Sequence, residues 1–259
     1  MWKQISNEEY HSEYKSFLSS SDIRRLLRSP AHYRTPVAGQ TPAQEIGTLA
    51  HVAILEPDMW KACYQLSPKL DRRTKDGKAL AEWQLAQENQ RGIKFIQEDL
   101  YSQIEGIAES VRSSMGTSGL LSNGMAELSG FGEINSQPIR IRPDYLRDDV
   151  IVDLKTCFDA REFQKSVFQW GYDLQAALYC DMAQIIDGKK RGFIWIVVEK
   201  DAPYGCMIFE ATEEVLTRGR ALYEKAIQIY QECASLDHWP SYSPVIQQLT
   251  VPRWLKENV

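Results

Sequence analysis

Arg140-Ile141-Arg142-Pro143-Asp144 and then Val150-Ile151-Val152-Asp153-Leu154-Lys155 form the stretch on which the reading of the chain turns. An acidic residue sits near the end of each of these consecutive segments, and the β-branched residues 150–152 read as an apolar strand leading into Asp153. Side chains alternate along a strand, so Asp153 and Lys155 share one face while Leu154 points to the other. The charged pair therefore emerges from a core element and not from a loop. Hard carboxylate oxygens hold magnesium, which keeps several waters and bridges to phosphate. Such a metal polarises a phosphoryl oxygen and lowers the pKa of a bound water. A neighbouring lysine can orient that water or offset charge growing on phosphorus. Two clustered carboxylates raise each other's pKa unless a cation lies with them. The combination suits phosphodiester hydrolysis. Taken alone, Asp153 and Lys155 also describe an exposed ion pair worth under about 1 kcal/mol.

Working outward, the pattern predicts strands over Met125–Ile134, Gln137–Leu146 and Val150–Leu154, separated by Asn135-Ser136 and Arg147-Asp148-Asp149. A helix is expected over Phe163–Ile186. Two further strands, Gly192–Glu199 and Gly205–Ala211, flank a turn at Asp201-Ala202-Pro203, and a long helix runs over Thr212–Ser235. The N-terminal part reads as helical. Ser19-Ser20-Ser21-Asp22 caps a helix whose apolar positions are Ile23, Leu26 and Leu27, with Pro30 past its end. Glu45–Leu55 carries the stripe Ile46, Leu49, Ala50, Ala53 and Ile54. Lys78–Gln90 and Gln97–Ser114 are also helical, and Pro68–Gly77 is expected to be a mobile loop. No internal repeat or low-complexity linker divides the chain. The expected fold class is α/β with a helical N-terminal wrapping. It forms one domain over residues 1–259: helical wrapping to 115, a core over 116–235, and an irregular tail.

With 43% hydrophobic and 25% charged residues, the composition is that of an ordinary globular protein. The apolar run Phe193–Val198 is strand-sized, so no membrane span is expected. Met1-Trp2-Lys3-Gln4 lacks a signal-peptide core, which places the protein in the cytoplasm. Cys63, Cys157, Cys180, Cys206 and Cys233 form no C-x-x-C pair, which argues against a disulfide framework and a zinc site. The net charge of −5 is unlike that of a nucleic-acid binder, but a local basic patch can coexist with an acidic exterior. Arg24, Arg25, Arg28 and Arg34, followed by Lys69, Arg72, Arg73, Lys75 and Lys78, offer such a patch; solvated helix faces are the alternative.

Gly47-Thr48-Leu49-Ala50-His51, then Asp144, Asp153-Leu154-Lys155 and Gln175-Ala176-Ala177-Leu178-Tyr179 occur in that order. The succession resembles the PD-(D/E)XK nuclease superfamily in its RecB-like branch, and most of all the RecE-type exonucleases (exodeoxyribonuclease VIII) of prophages. Leu18-Ser19-Ser20-Ser21 leading into Leu26-Leu27-Arg28-Ser29-Pro30-Ala31-His32-Tyr33 matches as well, and the likeness runs from about Ser16 to about Tyr230. It implies a PD-(D/E)XK nuclease fold, α/β with a central mixed β-sheet flanked by helices and a helical N-terminal extension, and Lys155 as the catalytic lysine. His51, Asp144, Asp153 and the Leu154 backbone carbonyl would hold Mg2+, with Mn2+ able to substitute. Glu127 matches an acidic position beside the metals. Gln175 and Tyr179 would brace the site and contact the DNA backbone.

The same resemblance implies a 5′-to-3′ exodeoxyribonuclease acting on double-stranded DNA ends and leaving 3′ single-stranded tails. It also implies a closed homo-oligomeric ring and a single-strand annealing protein as partner. Ser21, with Arg24 or Arg28, would receive the 5′-phosphate at a helix N-terminus. The residues by themselves leave other readings open. His51 on an apolar helix also describes a buried core histidine. Glu127 also fits a strand-edge solubiliser, and Gln175 with Tyr179 a helix-surface pair. Ser21 also fits a plain cap, with the arginines solvated. His11, His32 and His238 read as structural. Rival functions are an endonuclease or CRISPR-associated iron–sulfur nuclease of the same superfamily, and a non-catalytic DNA-binding assembly module.

Overall fold

A computed structural model describes residues 1–36, 39–68 and 73–251. The chain opens with strand β1 (Trp2–Lys3) and helix α1 (Asn7–Ser12). Helix α2 (Ser20–Arg28) starts where its cap dictates: Ser19 accepts from the Asp22 backbone N–H and the Asp22 carboxylate accepts from the Ser19 N–H. Helices α3 (Pro30–Arg34) and α4 (Pro42–Leu55) follow. A second reciprocal cap, Thr41 with Gln44, begins α4 three residues before the expected Glu45. Helix α5 (Pro57–Cys63), strand β2 (Tyr64–Leu66), helix α6 (Lys75–Arg91), strand β3 (Lys94–Ile96), and helices α7 (Glu98–Ser113) and α8 (Met115–Leu120) complete the N-terminal part. The expected loop over Pro68–Gly77 already turns helical at Lys75, because Thr74 caps α6 through the Gly77 N–H. Its residues 69–72, with Lys69 and Arg72 of the basic stretch, lie outside the described residues.

Next come strands β4 (Met125–Ala126), β5 (Ser129–Ile134), β6 (Gln137–Ile141), β7 (Tyr145–Leu146) and β8 (Val150–Cys157). After a 3-10 turn at Ala160–Glu162 come helices α9 (Phe163–Gln169) and α10 (Tyr172–Asp187), strands β9 (Gly192–Glu199) and β10 (Cys206–Glu210), and helix α11 (Glu213–Leu236). Strand order in the central sheet is β10-β9-β8-β7-β4; β8 and β9 run parallel and the other pairs antiparallel. The expected mixed sheet flanked by helices is what the chain forms. A smaller sheet has the order β1-β5-β6.

Three expected elements are split. Met125–Ile134 divides into β4 and β5, which belong to different sheets, and Gln137–Leu146 divides into β6 and β7 in the same way. The helix over Phe163–Ile186 breaks at Gly171, whose φ of +67° suits glycine and which packs against the Arg24 side chain. Apolar periodicity runs through all three breaks, so pattern alone did not reveal them.

Alternation along β8 and β9 builds two cores. Ile151, Phe193, Trp195 and Val197 pack on one face with residues of α10 and α11, including Leu174, Leu178 and Tyr223. Val150, Val152, Leu154, Ile196 and Val198 pack on the other with residues of α4 and α7, including Leu49, Ala53, Ile104 and Ile107. Helices α10 and α11 approach closely because a Cβ at Gly219 would collide with the Asp173 carbonyl. Among the described residues, no helix is long and apolar enough to cross a membrane.

Candidate active site

Along its β9 side, β8 is in register over its whole length, from Val150 against Gly192 to Cys157 against Glu199. Along its β7 side it pairs only at Ile151 and Val152. The reason lies just before β7. Pro143 has no N–H to give to a ladder, and over Arg142-Pro143-Asp144 the chain passes from the small sheet to the central one. The neighbouring chain makes the same passage at Glu127, which adopts a φ of +53° and donates its N–H to the Asp144 carbonyl at 3.1 Å. Glu127 and Asp144 thus meet where two strands change sheets together.

Side chains take over the edge of β8 that β7 leaves. The Leu154 N–H donates to Asp144 Oδ2 at 2.6 Å. His51, delivered by α4, brings Nε2 within 2.8 Å of the Leu154 carbonyl oxygen. A carbonyl only accepts, so Nε2 carries a proton, and in the neutral ring Nδ1 is the nitrogen with a lone pair. That Nδ1 lies 3.6 Å from Asp144 Oδ2. Ligand atoms of His51, Glu127 and Asp144 all fall within 4.8 Å of one another.

Behind this cluster, Asp153 is fully buried. Its Oδ1 accepts from Gln175 Nε2 at 2.9 Å, and its Oδ2 is in ion contact with Lys155 Nζ. The Tyr172 ring lies 4.9 Å from the same ammonium. Tyr179, one helical turn beyond Gln175, is buried and shares a hydrogen bond with the Ser20 side chain. Both residues of the Gln175/Tyr179 pair face inward, and Gln175 braces Asp153.

The electrostatics follow from this crowding. Burial, and then the neighbouring Asp144, pushes the Glu127 carboxyl up to about 8, with Arg142 opposing. Arg142 Nε donates to the Glu127 carbonyl at 3.0 Å and lies 3.2 Å from its carboxylate. Burial pushes Asp153 up to about 6 against the pull of Lys155. Burial alone would lower the Lys155 pKa, but Asp153 and Asp144 outweigh it and hold the ammonium above the ordinary lysine range.

The donor set fits a hard divalent cation. Two carboxylates and one imidazole nitrogen converge, and Glu127 and Asp144 repel each other without a cation between them. Asp153 Oδ2 is buried and, beyond its ion contact with Lys155, receives no hydrogen bond of good geometry among the described residues. The sequence reading set Glu127 beside the metal ligands; the fold places it in one cluster with His51 and Asp144. The Leu154 carbonyl, expected as a ligand, faces the His51 ring, which leaves its second lone pair.

A cleft of about 1200 Å3 adjoins the site, and Tyr172 belongs to both. Lys15, Arg24, Arg25, Arg28, Arg34 and Arg140 line it, so a basic surface exists despite the net charge of −5. Ser21 also lines it, its Oγ 2.8 Å from Ser19 Oγ. Arg24 donates to the Trp170 carbonyl at 3.0 Å, and Arg28 to the Tyr242 hydroxyl at 3.2 Å. The Asp22 carboxylate occupies the cap of α2 and opposes an anion there. Sequence reasoning gave no role to Arg140 or Tyr172. Arg140 is a buried cation between Ile139 and Ile141, donating to the Tyr10 carbonyl at 2.7 Å, and its Nε has no hydrogen-bond partner among the described residues. A charge at that place in an apolar strand was the available signal.

Residues 11–250 match the model of a family described as a PDDEXK-like domain of unknown function (DUF3799). The chain belongs to that family. The fold is also that of a solved protein from Eubacterium rectale, provisionally named an exonuclease. The TM-score is 0.65 and the identity 14%, over 99% of this chain and 98% of that one. A phage-related exonuclease from Haemophilus somnus aligns over 66% of this chain and 91% of its own at 16% identity, with a TM-score of 0.30. No curated protein matches. Family and fold together establish a PD-(D/E)XK architecture.

Proposed function

We propose that the protein is a metal-dependent deoxyribonuclease that digests linear duplex DNA from the 5′ end and leaves 3′ single-stranded tails. The observation that carries this is the convergence of His51, Glu127, Asp144, Asp153 and Lys155 on the edge of β8 that β7 abandons. His51 Nδ1, Asp144 and Glu127 would hold Mg2+ or Mn2+, with Asp153 beside them. The cation supplies Lewis acidity and an acidified water.

The chain's own groups do the rest. The Leu154 N–H fixes the Asp144 carboxylate, and Gln175 fixes that of Asp153. Lys155 remains protonated, so its ammonium offsets the negative charge that grows on the phosphate oxygens in the transition state. The basic cleft holds the polyanionic backbone leading to the site. Ser21, Arg24 and Arg28 would receive the 5′-phosphate within that cleft, with Asp22 working against them.

The remaining features belong to the same reading: a RecE-type identity, a cytoplasmic setting, a ring of subunits, and a single-strand annealing protein that takes up the product tail. Digestion of linear duplex in Mg2+, compared with closed circular DNA, is the deciding experiment. Loss of linear DNA alone, with label released first from the 5′ end, is the expected result. Nicking of the circle would instead favour an endonuclease, and no cleavage of either would leave a binding module. Indifference to 5′-phosphate or 5′-hydroxyl ends would remove Ser21, Arg24 and Arg28 from the site.

A further inference from the structure

Helix α9 ends at Gln169 and α10 begins at Tyr172, and the short link between them carries a large aromatic ring to the surface. Trp170 is 56% exposed. Among the described residues, its side chain makes no hydrogen bond and no ring contact. The other described tryptophans are all engaged. Trp2 donates its indole N–H to Asp187, and Trp60, Trp83, Trp195 and Trp239 each lie against another ring. The backbone under the free ring is held on both sides. The Trp170 N–H donates to the Ser166 carbonyl at 2.9 Å, and its carbonyl accepts from Arg24 at 3.0 Å. Gly171 then takes its left-handed turn against the stem of the same arginine. A ring presented on a fixed backbone gives up little freedom when something stacks on it.

Two observations give the ring an occupant. First, Trp170 lines the basic cleft together with Arg24, Arg25, Arg28 and Arg34, and so concentrated a positive surface suits a polyanion. Second, the cleft leads to the candidate active site through this link. Tyr172, two residues on, lines the same cleft and sets its ring 4.9 Å from the Lys155 ammonium. Two residues of chain span at most about 7 Å, so the free indole and the ring against the catalytic lysine leave the backbone close together.

We propose that Trp170 is a stacking platform for a base of the DNA strand whose phosphate reaches Lys155. Cations that hold phosphates beside an open aromatic face are the combination that binds an unpaired strand, because every base has a flat face to stack. Inside a duplex both faces of a base are covered by its neighbours. The platform therefore selects an unpaired base or the last base of an end, and ignores its identity. The inference deepens the nuclease reading and rests on it for the ligand.

Binding is measured on the full chain in Ca2+ by the anisotropy of two labelled strands of equal length, a single-stranded DNA oligonucleotide and an abasic sugar-phosphate strand. The strand with bases should bind more tightly. Trp170→Ala should weaken its binding about tenfold and leave the abasic strand unchanged, and Trp170→Phe should recover most of the loss. Melting curves check that both variants fold, as expected for an exposed side chain. Equal affinity of the unaltered protein for the two strands overturns the inference. So does a loss on both strands alike in Trp170→Ala, which is what a subunit contact through this ring would give. A protein that cuts linear duplex in Mg2+ but does not distinguish the strands sinks the platform alone. One that distinguishes them but never cuts sinks the nuclease reading alone.

Discussion

Strand β8 has one neighbour that follows it from end to end and one that leaves it after two residues. On the β9 side its backbone groups meet another backbone, and its side chains pack into the two cores. On the β7 side, past Val152, the backbone N–H and carbonyl of Leu154 meet the side chains of Asp144 and His51 instead. A polar group at a strand edge must be satisfied. Here the residues that satisfy it also form a cation-sized cluster, so structure and chemistry draw on the same unpaired edge. The closed side should govern stability and the open side activity.

The largest test of that contrast is on the open side. Lys155→Ala and Asp153→Asn should lower cleavage of linear duplex by about a thousandfold or more, while DNA binding measured in Ca2+ persists. Near-normal turnover in Mg2+ for either variant would remove the active-site assignment. The closed side should behave oppositely. Ile151 is fully buried, and Ile151→Ala should cost about 3 kcal/mol in urea denaturation, with the folded fraction cutting at the normal rate.

His51 stands between the two roles, since one ring nitrogen serves the backbone and the other faces the carboxylates. His51→Ala should weaken the Mg2+ dependence of cleavage about 10- to 100-fold and cost about 1 kcal/mol of stability. A large loss of melting temperature with unchanged metal dependence would make it a core histidine.

The smallest effect concerns Glu127, whose carboxyl is pushed from its ordinary 4.5 up to about 8. The folded protein favours the protonated acid, so this contribution to stability is present below about 4.5 and is lost as pH rises through about 8. Without metal, the melting temperature should therefore fall across that window. Glu127→Gln should flatten the slope and Mg2+ should offset it; a slope unchanged by the substitution would place the titration elsewhere.

Much of this was legible in the residues. The cap at Ser19 and Asp22, the apolar run 150–152, and the same-face placement of Asp153 and Lys155 follow from hydrogen-bonding capacity and side-chain alternation, which are local. The α/β class followed from the order of elements, while the mixed sheet was implied by the likeness to the PD-(D/E)XK superfamily. The splits at Glu127, at Pro143 and at Gly171 were less legible, although Pro143 and Gly171 signalled them. Hydrophobic pattern reports burial, and β4, β5, β6 and β7 all have a buried side whichever sheet they join. Tyr172 carried no local mark of the surface it lines, and Arg140 only its charge within an apolar strand.

The sequence by itself determined where most strands and helices form and that Asp153 and Lys155 share one face of β8. It did so because caps, turns and alternation act over a few residues. Only the tertiary structure decided that His51 reaches Leu154 across 103 residues, and that Glu127 stands with Asp144. It also decided that Trp195 lies beside Asp153 on the adjacent strand. Each of these depends on which strands pair and where a ladder ends, and that is set by the packing of whole elements.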